Sequence, residues 1–288
     1  LGSNSVSFMM CPSLSFYAGH PAYAVVMKWD PKKYVQFADH RDRPFFDLTT
    51  RITAATPRAV VDLGCGPGPL THSLAERWPD AHVSGLDLSS DMIEKARKEQ
   101  QAPNLNFEII DATTWMPEPE TDVLVSNAML QWIPEHRELI AKWLEALASG
   151  AWFAAQVPGN FGSPSHALMR QLAESARWAP QLTGVLRHDD AVWEPADYLR
   201  IMLDAGFEAD VWETTYGQIL SGVDPVLEWV RGTALRPILA KLDQADAAEF
   251  EREYAELVAQ AYPSFPDKQG GELTLFPFRR IFMVGRKR

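Results

Sequence analysis

Apolar positions along this chain follow two rhythms. Short unbroken runs, such as Val60-Val61 and Val123-Leu124-Val125, read as buried strands. Longer stretches space their apolar residues three or four apart, which is the period of a helix with one face on a core. In order, the pattern predicts a helix over residues 30–52 that Pro44 kinks or splits, then a strand ending at Leu63. A helix over 70–78 precedes a strand over 81–86 that ends at Asp87. Ser89 or Ser90 caps the next helix, with Asp91 in its first turn. Strands follow over 105–110, 123–125 and 151–157. A helix over 135–148, stopped by Gly150, separates the last two.

Beyond Pro158 the rhythm loosens. Residues 164–176 and 195–205 read as helices, and 207–219 as a strand weakened at its end by Gly217. Residues 225–261 are mostly helical with breaks near Gly232 and Pro237, and 273–284 form a last strand. Pro263, Pro266 and Gly270-Gly271 mark the exit from the helical part. Strands alternating with helices predict an α/β fold. It is a Rossmann-like, doubly wound, mostly parallel seven-stranded sheet, with residues 224–266 inserted as a helical lid before the last strand. Residues 28–288 are expected to form one domain. Residues 1–27 carry no Lys, Arg, Asp or Glu and show no period. They lack the basic start and apolar centre of an export signal. They are read as a disordered leader, a cloning remnant or an over-long translation start, with Met27 as the start of the protein proper.

The formal charge of -11 argues against general binding of nucleic acid or a membrane surface. No apolar run approaches the roughly 20 residues needed to span a bilayer. The two cysteines, Cys11 and Cys65, do not make a disulfide framework, and the expected location is the cytoplasm. The acidity is uneven: from Asp224 onward ten basic residues balance ten acidic ones. Solvated helix faces account for such a balance; arginines kept for an anion are the sharper reading.

Candidate chemistry concentrates at the predicted carboxyl ends of the strands, where doubly wound sheets bind ligands. Val60 to Pro69 is a strand running into Gly64, Gly66 and Gly68, with a helix behind them. Such a loop brings bare backbone and unpaired N–H groups to a ligand. Asp87 ends the second strand, where an acid accepts from ribose hydroxyls, and Asp111 ends the third, within reach of an adenine amino group. A dinucleotide fingerprint needs a third glycine where Pro69 stands, which disfavours a nicotinamide-dependent oxidoreductase.

Asp62-Leu63-Gly64-Cys65-Gly66-Pro67-Gly68, with Gly85-Leu86-Asp87 and Asp111-Ala112, resembles the motifs of class I S-adenosylmethionine-dependent methyltransferases. The resemblance implies S-adenosylmethionine as cofactor and S-adenosylhomocysteine as product. The implied cofactor residues are Asp62, Gly64, Cys65, Gly66, Asp87, Leu88, Met92, Asp111, Ala112, Asn127 and Arg43.

Four further stretches extend the likeness over nearly everything after Lys28. They are Tyr34 to Pro44, Ser126 to His136, Glu228 to Pro237, and Phe276 to Phe282. Together they resemble trans-aconitate methyltransferases, which esterify one carboxylate of a small polycarboxylate. The resemblance implies substrate contacts from Tyr34, Trp132, His136, Arg231, Arg236, Arg279 and Arg280, and positioning by Gln131, Trp132 and His136. An ionised carboxylate is already a nucleophile at neutral pH, so neither a catalytic base nor a metal is expected. The protein is expected to act as a monomer. Another small carboxylate, or an acyl-carrier substrate, stands as the alternative acceptor.

Overall fold

The computed structural model describes residues 42–186, 191–231 and 234–288. The chain opens with α1 (Arg43–Thr49), β1 (Ala59–Leu63) and α2 (Pro69–Arg77). Next come β2 (His82–Asp87), α3 (Ser90–Glu99), β3 (Leu105–Ile109) and β4 (Thr121–Asn127). A 3-10 turn (Leu130–Trp132) leads into α4 (His136–Ala146) and β5 (Trp152–Pro158). The second half holds α5 (Pro164–Ala173), α6 (Ala179–Leu182), α7 (Pro195–Asp204) and β6 (Phe207–Ser221). It ends with α8 (Pro225–Arg231), α9 (Arg236–Lys241), α10 (Gln244–Ala261), β7 (Ser264–Pro266) and β8 (Glu272–Lys287). Among the described residues no helix is long and apolar enough to cross a membrane.

Prolines open helices here. Pro69, Pro164, Pro195 and Pro225 each stand first in a helix, where the missing N–H costs nothing. That corrects the expected kink at Pro44, which sits in the opening turn of α1. The rest of the helix predicted over 30–52, with Tyr34, lies outside the described residues, as does the break near Gly232. Ser89 caps α3 by accepting from the Met92 N–H. Asp243 caps α10 by accepting from Ala245 and Asp246, both at 2.9 Å.

The strand order is β3-β2-β1-β4-β5-β8-β6, parallel from β3 to β5, with β8 antiparallel to both neighbours. An eighth strand, β7, adds to β8 alone. Its Pro266 lacks a donor and is tolerated because β7 is a short edge strand. β6 runs through Gly217 to Ser221, because β8 pairs with it residue for residue from Phe207–Lys287 to Ser221–Leu273. Pairing on that scale overrides the weakness of one glycine.

Period-two alternation sorts the sheet into two faces. Tyr216 on β6 pairs with Phe278 on β8, and its hydroxyl donates to Asp47 at 2.7 Å, so α1 covers that face. Leu139, Ile140 and Trp143 of α4 and Tyr198 and Met202 of α7 cover the other, packed on Phe153, Ala155, Ile281 and Met283. Each such fully buried side chain contributes about 1.5–3 kcal/mol. The helices after β6 share a further core with α5 and α6: Met169, Trp178, Val226, Ile238, Phe250 and Tyr254 pack on Phe276 and Phe278. The helical layer is therefore built from two stretches of chain, not only from residues 224–266.

Candidate active site

The turn after β1 is fixed by sterics. Gly64 has φ of +83°, and a Cβ there would lie 2.4–2.5 Å from the Met129 side chain, so no other residue fits. Its N–H and that of Cys65 both donate to the Leu86 carbonyl, at 2.7 and 3.1 Å. Asp87 closes the loop from the neighbouring strand. Its Oδ2 accepts from the Gly66 N–H and its Oδ1 from the Ser89 N–H, both at 2.9 Å. One carboxylate thus holds both the glycine loop and the start of α3. Each oxygen keeps a second lone pair for a ligand hydroxyl.

Gly64, Asp87, Leu88, Asp111, Ala112 and Trp132 line one cavity of about 370 Å³, together with Leu63, Met129 and Ile133. The structure so brings together six of the residues singled out in the sequence. Leu88 and Trp132 are exposed at its rim, and Asp111 lies on it too. Asp111 Oδ1 accepts from the Thr113 hydroxyl and N–H at 2.7 and 2.9 Å, which holds its carboxyl below the usual range.

Asp62 and Cys65 stand behind the cavity. Asp62 is 2% exposed and accepts from the Thr71 hydroxyl at 2.7 Å, tying β1 to α2. Burial pushes its carboxyl up to about 6. Cys65 packs with Ile93, Ala96 and Phe107, and burial likewise raises its thiol. Met92 is on the exposed face of α3, away from the cavity lining.

The loop after β4 is strained. Ala128 has φ of +55°, a conformation that costs a non-glycine residue about 1–3 kcal/mol. It is held from both sides: its N–H donates to the Gln156 carbonyl at 2.9 Å, and its carbonyl accepts from Gln131 Nε2. Two buried acceptors beside it, Asn127 Oδ1 and Gln131 Oε1, have no hydrogen-bond partner among the described residues.

His136, expected to contact substrate, is turned inward among protein partners. It is 1% exposed, with Nδ1 on the Ile133 carbonyl and Nε2 on the Tyr198 hydroxyl, both at 2.9 Å. The Tyr198 hydroxyl also accepts from the Trp193 N–H at 3.1 Å. These bonds leave the ring bracing the 3-10 turn against α7.

The arginines divide sharply. Arg231 pairs with Glu228 and Glu251 on the outside of α8 and α10. Arg236 is exposed at the first position of α9. Arg43 lies beside Asp47 at 3.7 Å and over the Tyr216 ring at 4.8 Å. Arg279 and Arg280 point to opposite faces of β8. Arg279 is neutralised by Glu194 and Glu213, whose hydrogen bonds raise its pKa. Arg280 is 7% exposed, lies over the Phe278 ring at 4.3 Å, and has no carboxylate partner among the described residues. Burial lowers it to about 10, so it stays charged at neutral pH. It pairs across the sheet with Pro158, at the carboxyl end of β5, hence on the same strand edge as the cavity.

Gln156 escaped the sequence reading. Nothing local marks it; only the register, Asn127 beside Gln156 and Pro158 beside Arg280, brings it to the site.

A family described as "Methyltransferase domain" matches residues 60–150. Over 259 residues the chain is 52% identical to a protein of Rhodococcus jostii (strain RHA1) named trans-aconitate 2-methyltransferase, covering 90% of this chain and 99% of that one. A Streptomyces avermitilis protein of the same name is 50% identical over 270 residues, covering 92% and 98%. Among solved structures, the YcgJ protein of Bacillus subtilis superposes with a TM-score of 0.53 at 14% identity, over 85% of this chain and 99% of that one. That likeness concerns the fold alone.

Proposed function

Because this chain belongs to the trans-aconitate 2-methyltransferase family, we propose that it methylates one carboxylate of trans-aconitate with S-adenosylmethionine, releasing the monomethyl ester. The observation that carries this reading is Arg280, a buried and charged guanidinium without a carboxylate partner among the described residues, on the strand edge that holds the cavity. A buried cation left in that state is costly, and an anionic acceptor relieves the cost.

The residues suit the cofactor. Asp87 and Asp111 rim the cavity for hydroxyl and amino donors. Asn127 Oδ1 and Gln131 Oε1, acceptors without a partner among the described residues, match a positively charged amino group. When bound, the cofactor supplies an electrophilic methyl group on a sulfonium. The chain's own task is alignment. Arg280 holds a carboxylate that does not react, the exposed Arg236 at the start of α9 takes another, and Trp132 at the rim keeps water out. The reacting carboxylate, with a reference pKa near 4, needs no base. Positioning of this kind is worth roughly 7–11 kcal/mol. The helical layer around α8 to α10 acts as the lid.

Incubating the protein with S-adenosylmethionine and a panel of di- and tricarboxylic acids, followed by mass spectrometry, tests the reading. Trans-aconitate gaining one methyl group faster than every other acid is the expected result. No methylated acid, or preference for an acyl-carrier substrate, rejects it.

A further inference from the structure

Two consecutive arginines on β8 are held in opposite ways. Arg279 donates to the carboxylates of Glu194 and Glu213, so its charge is spent. Arg280 donates through Nη1 to Gln156 Oε1 at 3.4 Å, and its Nε is buried without a partner among the described residues. Gln156 is 0% exposed, and its Nε2 is also buried without a partner among the described residues. An arginine only donates, so the amide oxygen must face it, and the NH2 is the end left over. Two donors without partners among the described residues therefore belong to one hydrogen-bonded pair of side chains at the end of β5. One is cationic and one neutral, which is what the two oxygens of one carboxylate require.

The geometry points to Gln156 as a charge-neutral positioning residue: it orients Arg280 through its oxygen without neutralising it, and so reserves the guanidinium for an acceptor carboxylate. This rests on the proposed polycarboxylate acceptor and names a further residue for it. An amide is the suitable group for that post. An apolar residue would leave the guanidinium free to rotate. A glutamate would satisfy it permanently, as Glu194 and Glu213 satisfy Arg279, and would repel the incoming anion.

The decisive variant is Gln156→Glu. It is expected to raise KM for trans-aconitate at least 30-fold with kcat within threefold. Affinity for S-adenosylhomocysteine by calorimetry should be unchanged, and Tm equal to or above wild type. Damage to the fold does not combine a stable protein with a selective loss of acceptor binding. Gln156→Met is expected to raise KM about tenfold and remains informative if the glutamate variant does not fold. KM within threefold of wild type in a folded variant overturns the inference. So does a raised KM accompanied by weakened S-adenosylhomocysteine binding or a lowered Tm, because Gln156 is then merely structural. If the wild-type protein methylates no polycarboxylate, the acceptor reading fails first and this inference falls with it. Activity on trans-aconitate that is indifferent to Gln156 sinks the inference alone.

Discussion

The cavity edge of the sheet and its arginine end are assembled on different principles. At the cavity the decisive bonds are short in sequence: Asp62 and Thr71 are 9 residues apart, Gly66 and Asp87 are 21. At the other end they are long: Gln156 and Arg280 are 124 residues apart, Tyr216 and Asp47 169. At the cavity, carboxylates are tied to backbone N–H groups and a hydroxyl. The arginine end keeps one charge open. Under the proposed function, the pocket built from contiguous motifs holds the methyl donor, and the guanidinium on β8 is the group expected to select the acceptor.

The strongest way to break this contrast is to remove the open charge. Arg280→Ala is expected to lower kcat/KM for trans-aconitate roughly 30- to 1,000-fold, corresponding to about 2–4 kcal/mol, within the range for removing one partner of a buried charge pair. Affinity for S-adenosylhomocysteine should be retained. Arg279→Ala, which breaks a partly exposed pair with Glu194 and Glu213, should change kcat/KM by less than threefold. Steady-state kinetics on the two variants decides it; equal losses would erase the distinction between the faces of β8.

The same contrast explains what could be read from the sequence. The glycine loop, the acids ending β2 and following β3, and the succession of strands and helices along the chain were legible because each rests on a local pattern. The paired charges of Arg231 and Arg279 were not, since their glutamate partners lie on other elements. The inward turn of His136 depends on Tyr198, 62 residues away. Gln156 has no signature at all, because its role comes from strand register. The charge balance after Asp224 raised arginines kept for an anion and the family resemblance named which ones, but neither told their faces apart.

Removing the carboxylate at the cavity is the converse test. Asp87→Ala loses the acceptor for Gly66 N–H and Ser89 N–H, and frees the loop as well as removing a rim acid. Affinity for S-adenosylhomocysteine should fall at least about tenfold, or about 1.4 kcal/mol, while KM for the acid changes less. Calorimetry that finds wild-type affinity would remove Asp87 from the cofactor site.

The smallest effect concerns Asp62, which supports the cavity from behind and touches neither ligand in this reading. Its carboxyl is raised from the ordinary 3.8 to about 6 by burial, against the opposing hydrogen bond from Thr71. In the unfolded chain it ionises near its ordinary value, so folding is favoured most below that pH. That contribution is lost as pH rises through about 6. At pH 8 the buried charge is thus a net cost, with a ceiling of about 3 kcal/mol. Asp62→Asn keeps an oxygen for Thr71 and carries no charge. Its Tm should rise relative to wild type at pH 8, by about 2–4 °C for each kcal/mol recovered, and the gain should shrink toward pH 5. Calorimetric scans at the two pH values measure the difference, and a gain independent of pH would mean that Asp62 ionises in the folded protein near its ordinary value. The acceptor KM should not move in either case, because the tie between β1 and α2 belongs to the cavity's side of the sheet and not to the open charge on β8.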